Sequence, residues 1–90
     1  MTISQLIQEA EAILTQVAVP DISDMYKVLA DIQIFCQGLN DLQLTINGVT
    51  YELNQLYELA IDGLTSRMDN SVLIRLKGCT AFLKALPEEV

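Results

Sequence analysis

The chain of 90 residues has no histidine and no tryptophan. Without an imidazole there is no Ser-His or Cys-His nucleophile pair, and no metal site built on histidine nitrogen. Cysteine is scarce too. Cys36 and Cys79 form neither a C-x-x-C pair nor the dense framework of a disulfide-stapled domain. Each falls on the apolar side of its predicted helix, so both read as buried free thiols in a reducing, cytoplasmic setting. The glycine-rich phosphate loops G-x-x-x-x-G-K and G-x-G-x-x-G are missing as well.

Long hydrophobic runs are also lacking. No stretch approaches the roughly 18 apolar residues of a membrane span. Residues 1–19 lack a basic start and are interrupted by Gln5, Gln8, Glu9, Glu11 and Gln16, so they do not read as a secretory leader.

Basic residues are few: five against twelve acids, for a net charge of −7. Residues 1–66 hold Lys27 as their single base, whereas residues 67–90 hold Arg67, Arg75, Lys77 and Lys84. An acidic body repels nucleic acid and anionic membranes at long range, and it also serves solubility. The acids do not form a recognisable site. Glu9 and Glu11 stand roughly 200° apart on a helix. Asp21 and Asp24 bracket a helix start, where negative charge suits the macrodipole. Asp62, Asp69 and Asn70 lack the spacing of a calcium loop. No catalytic, cofactor-binding or metal-ligating residue is nominated, and the expectation is a protein that is not an enzyme and needs no cofactor.

What is abundant is apolar side chain, 51% of residues. With glycine the share is about 55%, above the usual 45–50%. A chain this short buries only roughly two-thirds of its surface on folding. Part of its apolar surface therefore calls for a partner or a second copy, with a homodimer favoured.

The pattern predicts a mainly α (α+β) fold, four short amphipathic helices with one central β-hairpin in the order α-α-β-β-α-α. Residues 1–90 form a single helical domain with the hairpin at about 42–53. Ile3, Leu6, Ile7, Ala10, Ile13, Leu14 and Val17 make the first helical stripe, with Thr2 and Gln5 as a capping box and an end near Ala18, before Pro20. Asp21 or Ser23 caps a second helix seamed by Met25, Val28, Leu29, Ile32, Phe35, Cys36 and Leu39, and Gly38 is expected to end it in the left-handed conformation.

Leu42–Leu53 alternates about Asn47-Gly48, the preferred centre of a type I′ turn. Folding there sets Ile46 against Val49, Thr45 against Thr50, Leu44 against Tyr51, Gln43 against Glu52 and Leu42 against Leu53, so like faces like. A lone pair of strands is marginal in water, so its apolar face should pack on helices. Its outer edges carry no proline or lysine to block an added strand. Asn54 is the expected cap of a third helix, seamed by Leu56, Leu59, Ala60, Gly63 and Leu64. Asn70 or Ser71 is the expected cap of a fourth, seamed by Val72, Leu73, Leu76, Cys79, Thr80, Leu83 and Leu86.

Two of the helices carry a second apolar stripe. Tyr26, Ala30 and Ile34 lie at intervals of four on the second helix, and Ile34 stands roughly 160° from the main seam. On the fourth, Ile74, Gly78, Ala81 and Ala85 lie opposite the main face, where small residues allow a close helix approach. These seven residues are the candidate interface of a small binding or regulatory protein: an inhibitor, adaptor or assembly factor that self-associates. The alternative is a nucleic-acid-binding regulator using Arg75, Lys77 and Lys84, the basic residues of the last helix.

Overall fold

The computed structural model describes residues 2–16, 20–39 and 42–87. Helix α1 (Ile3–Leu14) opens on the expected capping box. The Gln5 N–H donates to Thr2 Oγ1 at 3.2 Å and the Thr2 N–H to Gln5 Oε1 at 2.8 Å. The helix stops at Leu14, short of the expected end. Thr15 donates both its N–H (2.9 Å) and its hydroxyl (2.7 Å) to the Glu11 carbonyl, and the Gln16 N–H takes the Ile13 carbonyl, which tightens the last turn. Val17 and Ala18 lie outside the described residues.

Helix α2 (Ile22–Gln37) is capped by Asp21, whose Oδ1 accepts from the Ser23 N–H at 3.0 Å. Gly38 does not take the expected left-handed conformation; its φ is −73°. The Gly38 N–H still reaches the Ile34 carbonyl and the Leu39 N–H reaches that of Cys36, so the terminal carbonyls are satisfied without a reversal of φ.

The hairpin is present in the predicted register. Strands β1 (Gln43–Ile46) and β2 (Val49–Glu52) pair antiparallel with Gln43, Leu44, Thr45 and Ile46 opposite Glu52, Tyr51, Thr50 and Val49. Asn47 and Gly48 have φ of 53° and 80°, the positive pair that a type I′ turn requires. Its polar face is cross-linked: Gln43 Nε2 donates to Glu52 Oε1 at 2.8 Å, and the Thr45 and Thr50 hydroxyls lie 3.1 Å apart. At the base, Leu42 has a φ of 55°, unusual for a branched side chain. It is held there by the Leu53 N–H on its carbonyl and by packing of its side chain on the core.

The N-caps of the last two helices lie one to three residues before the expected ones. Helix α3 (Asn54–Thr65) has Leu53 at its N-cap, and helix α4 (Asp69–Ala85) has Met68; neither has a side-chain cap. Leu53 is fully buried and bonded to Leu42, so packing fixes where α3 starts and Asn54 falls inside it. At α4 the Val72 N–H reaches the Met68 carbonyl, and Asp69 places its charge in the first turn.

The four helices and the hairpin share one core. Helices α2 and α4 pack on each other, and α1 and α3 each pack on both. The predicted seams supply it: Leu6, Met25, Leu29, Ile32, Leu56, Leu76 and Leu83 are all fully buried. Each such side chain contributes about 1.5–3 kcal/mol relative to exposure. The hairpin touches this body less broadly. Leu53 and Ile46 are buried, but Val49 is 53% exposed. Among the described residues no helix is long and apolar enough to cross a membrane.

Candidate interaction surface

The secondary stripes sit where helix geometry places them, and the structure divides their members. On α2, Ile34 is 64% exposed, Ala30 is half-buried, and Tyr26 is half-buried with its hydroxyl donating to the Ser66 carbonyl of the α3–α4 connection. On α4, Ile74 is 60% exposed, Ala81 and Ala85 are exposed, and Gly78 is half-buried. A Cβ placed on Gly78 would meet the methyls of Leu59 from α3 at 3.5 and 3.7 Å. Tyr26 and Gly78 thus spend part of their surface inside their own chain. Ile34, Ile74, Ala81 and Ala85 are left facing outward, as are the large apolar side chains of Met68 and Val49.

The basic residues of α4 differ in pairing and exposure. Lys84 Nζ is bonded to Glu11 Oε1 of α1 at 2.7 Å. Arg75 is half-buried, with its Cβ against Gly63 of α3, and Lys77 is exposed. A phosphate backbone would find a neutralised lysine, a partly covered arginine and one open charge, well short of the several contacts that strong binding uses.

One juxtaposition was not visible in the sequence. Glu9 of α1 faces Asp31 of α2 beside a cleft of about 260 Å³, lined also by Ala12, Ile13, Asp24 and Lys27. Glu9 Oε2 is shielded from solvent and has no hydrogen-bond donor among the described residues. That desolvation raises the Glu9 carboxyl above its ordinary value. The neighbouring Asp31 carboxyl pushes the same way, and the charge of Lys27 opposes them. Spacing along the chain sets Glu9 beside Glu11, not beside Asp31. Helix periodicity gives the flank on which Glu9 lies, but not the helix that flank meets.

A carboxyl whose folded pKa is raised holds its proton in the native state after the unfolded chain has lost it. Stability contributed by Glu9 is therefore greatest below its unfolded pKa and falls as pH rises through the raised value. Glu9→Gln removes that loss, so the variant is expected to melt higher than the parent at pH 7 and equally at strongly acidic pH. Thermal unfolding at the two pH values checks this.

A second cleft, of about 330 Å³, runs between α1 and the end of α4 and is lined by Ile3, Ile7, Glu11, Lys84, Leu86 and Pro87. Its charged residues are the Glu11–Lys84 pair already joined across it. The cysteines offer no nucleophile. Both are fully buried, and burial pushes Cys36 up to about 11 and Cys79 up to about 12, with the charge of Cys36 adding to the effect on Cys79.

No family model, curated protein or solved structure matches this chain.

Proposed function

We propose that this chain is a small non-enzymatic binding or regulatory protein, acting as an inhibitor, adaptor or assembly factor through its apolar helix faces and self-associating. The observation that carries the reading is the outward exposure of Ile34 and Ile74, two large β-branched side chains on stripes that are otherwise small or apolar. Exposed apolar groups arranged in stripes on two helices suit a complementary apolar surface, since each Å² removed from water is worth about 25 cal/mol. The role of Ile34, Ile74, Ala81 and Ala85 is contact between chains, with Tyr26, Ala30 and Gly78 bordering it.

Sedimentation equilibrium on the parent, Ile34→Asp and Ala81→Asp tests the reading. The expected outcome is a concentration-dependent dimer for the parent, with association weakened at least about tenfold in either variant, which corresponds to about 1.4 kcal/mol. Helical circular dichroism should be unchanged, because both side chains lie on the outside. Unfolding of both variants would instead place these residues in the internal core.

A further inference from the structure

We infer that the outer edge of β2 pairs with the same edge of a second copy of this chain, joining two hairpins into one larger antiparallel sheet. This goes beyond the helix-face reading and does not rest on it. The phase of the hairpin ladder settles which groups point outward. The Leu53 N–H donates to the Leu42 carbonyl, so Leu42–Leu53, Leu44–Tyr51 and Ile46–Val49 are the hydrogen-bonded rungs. In the rungs between them, the N–H and C=O of Thr50 and Glu52 turn away from β1. Among the described residues no hydrogen bond reaches those outward groups from any other element, and both residues are exposed. Among the described residues the sheet has two strands.

Both edges are open, and that of β2 is the barer at the turn end. Ile46 and Val49 are direct cross-strand partners on the apolar face, yet Ile46 is 8% exposed and Val49 53%. At the turn end the helical body therefore covers the apolar face over β1 and leaves it bare over β2, whereas Leu44 and Tyr51 are alike half-buried and Leu53 at the base is fully buried. No proline, lysine or arginine lies between Leu42 and Leu53 to guard the edge, and Glu52 is the one charged residue in that stretch.

The occupant is a second copy because the edge is complementary to itself. An antiparallel edge contact is isologous: a two-fold axis beside Tyr51 sets Thr50 opposite Glu52 of the second copy, and Glu52 opposite its Thr50. Both rungs then exchange main-chain hydrogen bonds, a hydroxyl donor lies across from each carboxylate, and no like charges stand directly opposite. On the other face, Tyr51 meets Tyr51 of the second copy. Two marginal strands become a sheet of a size that is stable in water.

Amide hydrogen exchange followed by NMR over a range of protein concentrations tests this, alongside sedimentation of Thr50→Pro and Thr45→Pro. The Thr50 and Glu52 amides are expected to slow at least about tenfold from dilute to concentrated solution. Thr50→Pro removes an outward N–H without touching the internal ladder, and should abolish this dimer; Thr45→Pro does the same to the β1 edge and should spare it. Thr50 and Glu52 amides that exchange fast at every concentration would overturn the proposal, even where the chain dimerises, and such a dimer would leave the helix-face reading standing. Dimerisation lost in Thr50→Pro but kept in Ile34→Asp would uphold the edge contact and remove the helix faces as its cause. A chain that stays monomeric throughout would overturn both.

Discussion

Gly63→Ala and Gly78→Ala are expected to move stability in opposite directions, although both put the same methyl group into the α3–α4 contact. Gly63 is buried where three helices meet. A Cβ there would lie 2.6 Å from Leu29 Cδ1 of α2 and 3.2 Å from Arg75 Cβ of α4. Leu29 is fully buried and has little room to turn aside, and the Arg75 Cβ is fixed to its backbone. Overpacking of this kind costs about 1–3 kcal/mol. The helix preference for alanine over glycine returns about 1 kcal/mol. The net expectation is a loss of about 1 kcal/mol for Gly63→Ala. For Gly63→Val it is more than about 3 kcal/mol, because two further carbons enter the same gap. Against a total of about 5–15 kcal/mol for a small domain, the valine variant should be largely unfolded at temperatures where the parent is folded. At Gly78 the nearest atoms stand at ordinary contact distance, so Gly78→Ala keeps the propensity gain and should be about 0.5–1 kcal/mol more stable. Urea unfolding of the three variants reads all of this. Equal shifts at the two glycines would mean that α2, α3 and α4 do not meet as described.

The second large effect is in thiol chemistry. Native protein should resist thiol reagents at pH 7, and full labelling should wait on unfolding. With pKa values pushed up to about 11 and about 12, the reactive thiolate fractions of Cys36 and Cys79 are on the order of 10⁻⁴ and 10⁻⁵. An exposed cysteine holds roughly 3% thiolate at the same pH. Complete burial of both side chains removes access as well. Labelling slower than a model thiol by at least about two orders of magnitude is expected in the native state, with both cysteines reacting at once in urea. Rapid native labelling of either residue would contradict the packing of α2 on α4.

Most of this architecture was legible in the sequence because the two relevant periods are local. The stripe from Ile3 to Leu14, the seams of α2 and α4, and the alternation about Asn47-Gly48 each need only neighbouring residues to be read. The expectations that failed share another origin. Asn54, Asn70 and Ser71 are good caps by composition. Leu53 starts α3 because burial and the rung to Leu42 fix it first, and α4 is already closed by the bond from Val72 to Met68. Gly38 had the freedom to reverse φ, but the carbonyls at the end of α2 were satisfied without it.

The candidate surface was legible in part. Helical spacing found the stripes through Ile34 and Ile74, but it gave no sign that Tyr26 would reach Ser66 or that Leu59 would lie over Gly78. The Glu9–Asp31 pair was hidden for the same reason, since its partners come from different helices and meet only through the packing of α1 on α2. The uncovered side of the hairpin required the unequal burial of Ile46 and Val49, which an alternating pattern treats as equivalent.

The outward apolar faces of α2 and α4 are proposed to be covered by another molecule in the working state. NMR of the Ile34 and Ile74 methyl groups with a water-soluble paramagnetic agent, over a range of protein concentrations, addresses that coverage directly. Strong broadening of both signals is expected in dilute solution, with progressive protection as a second copy covers them. Undiminished broadening at every concentration would contradict it.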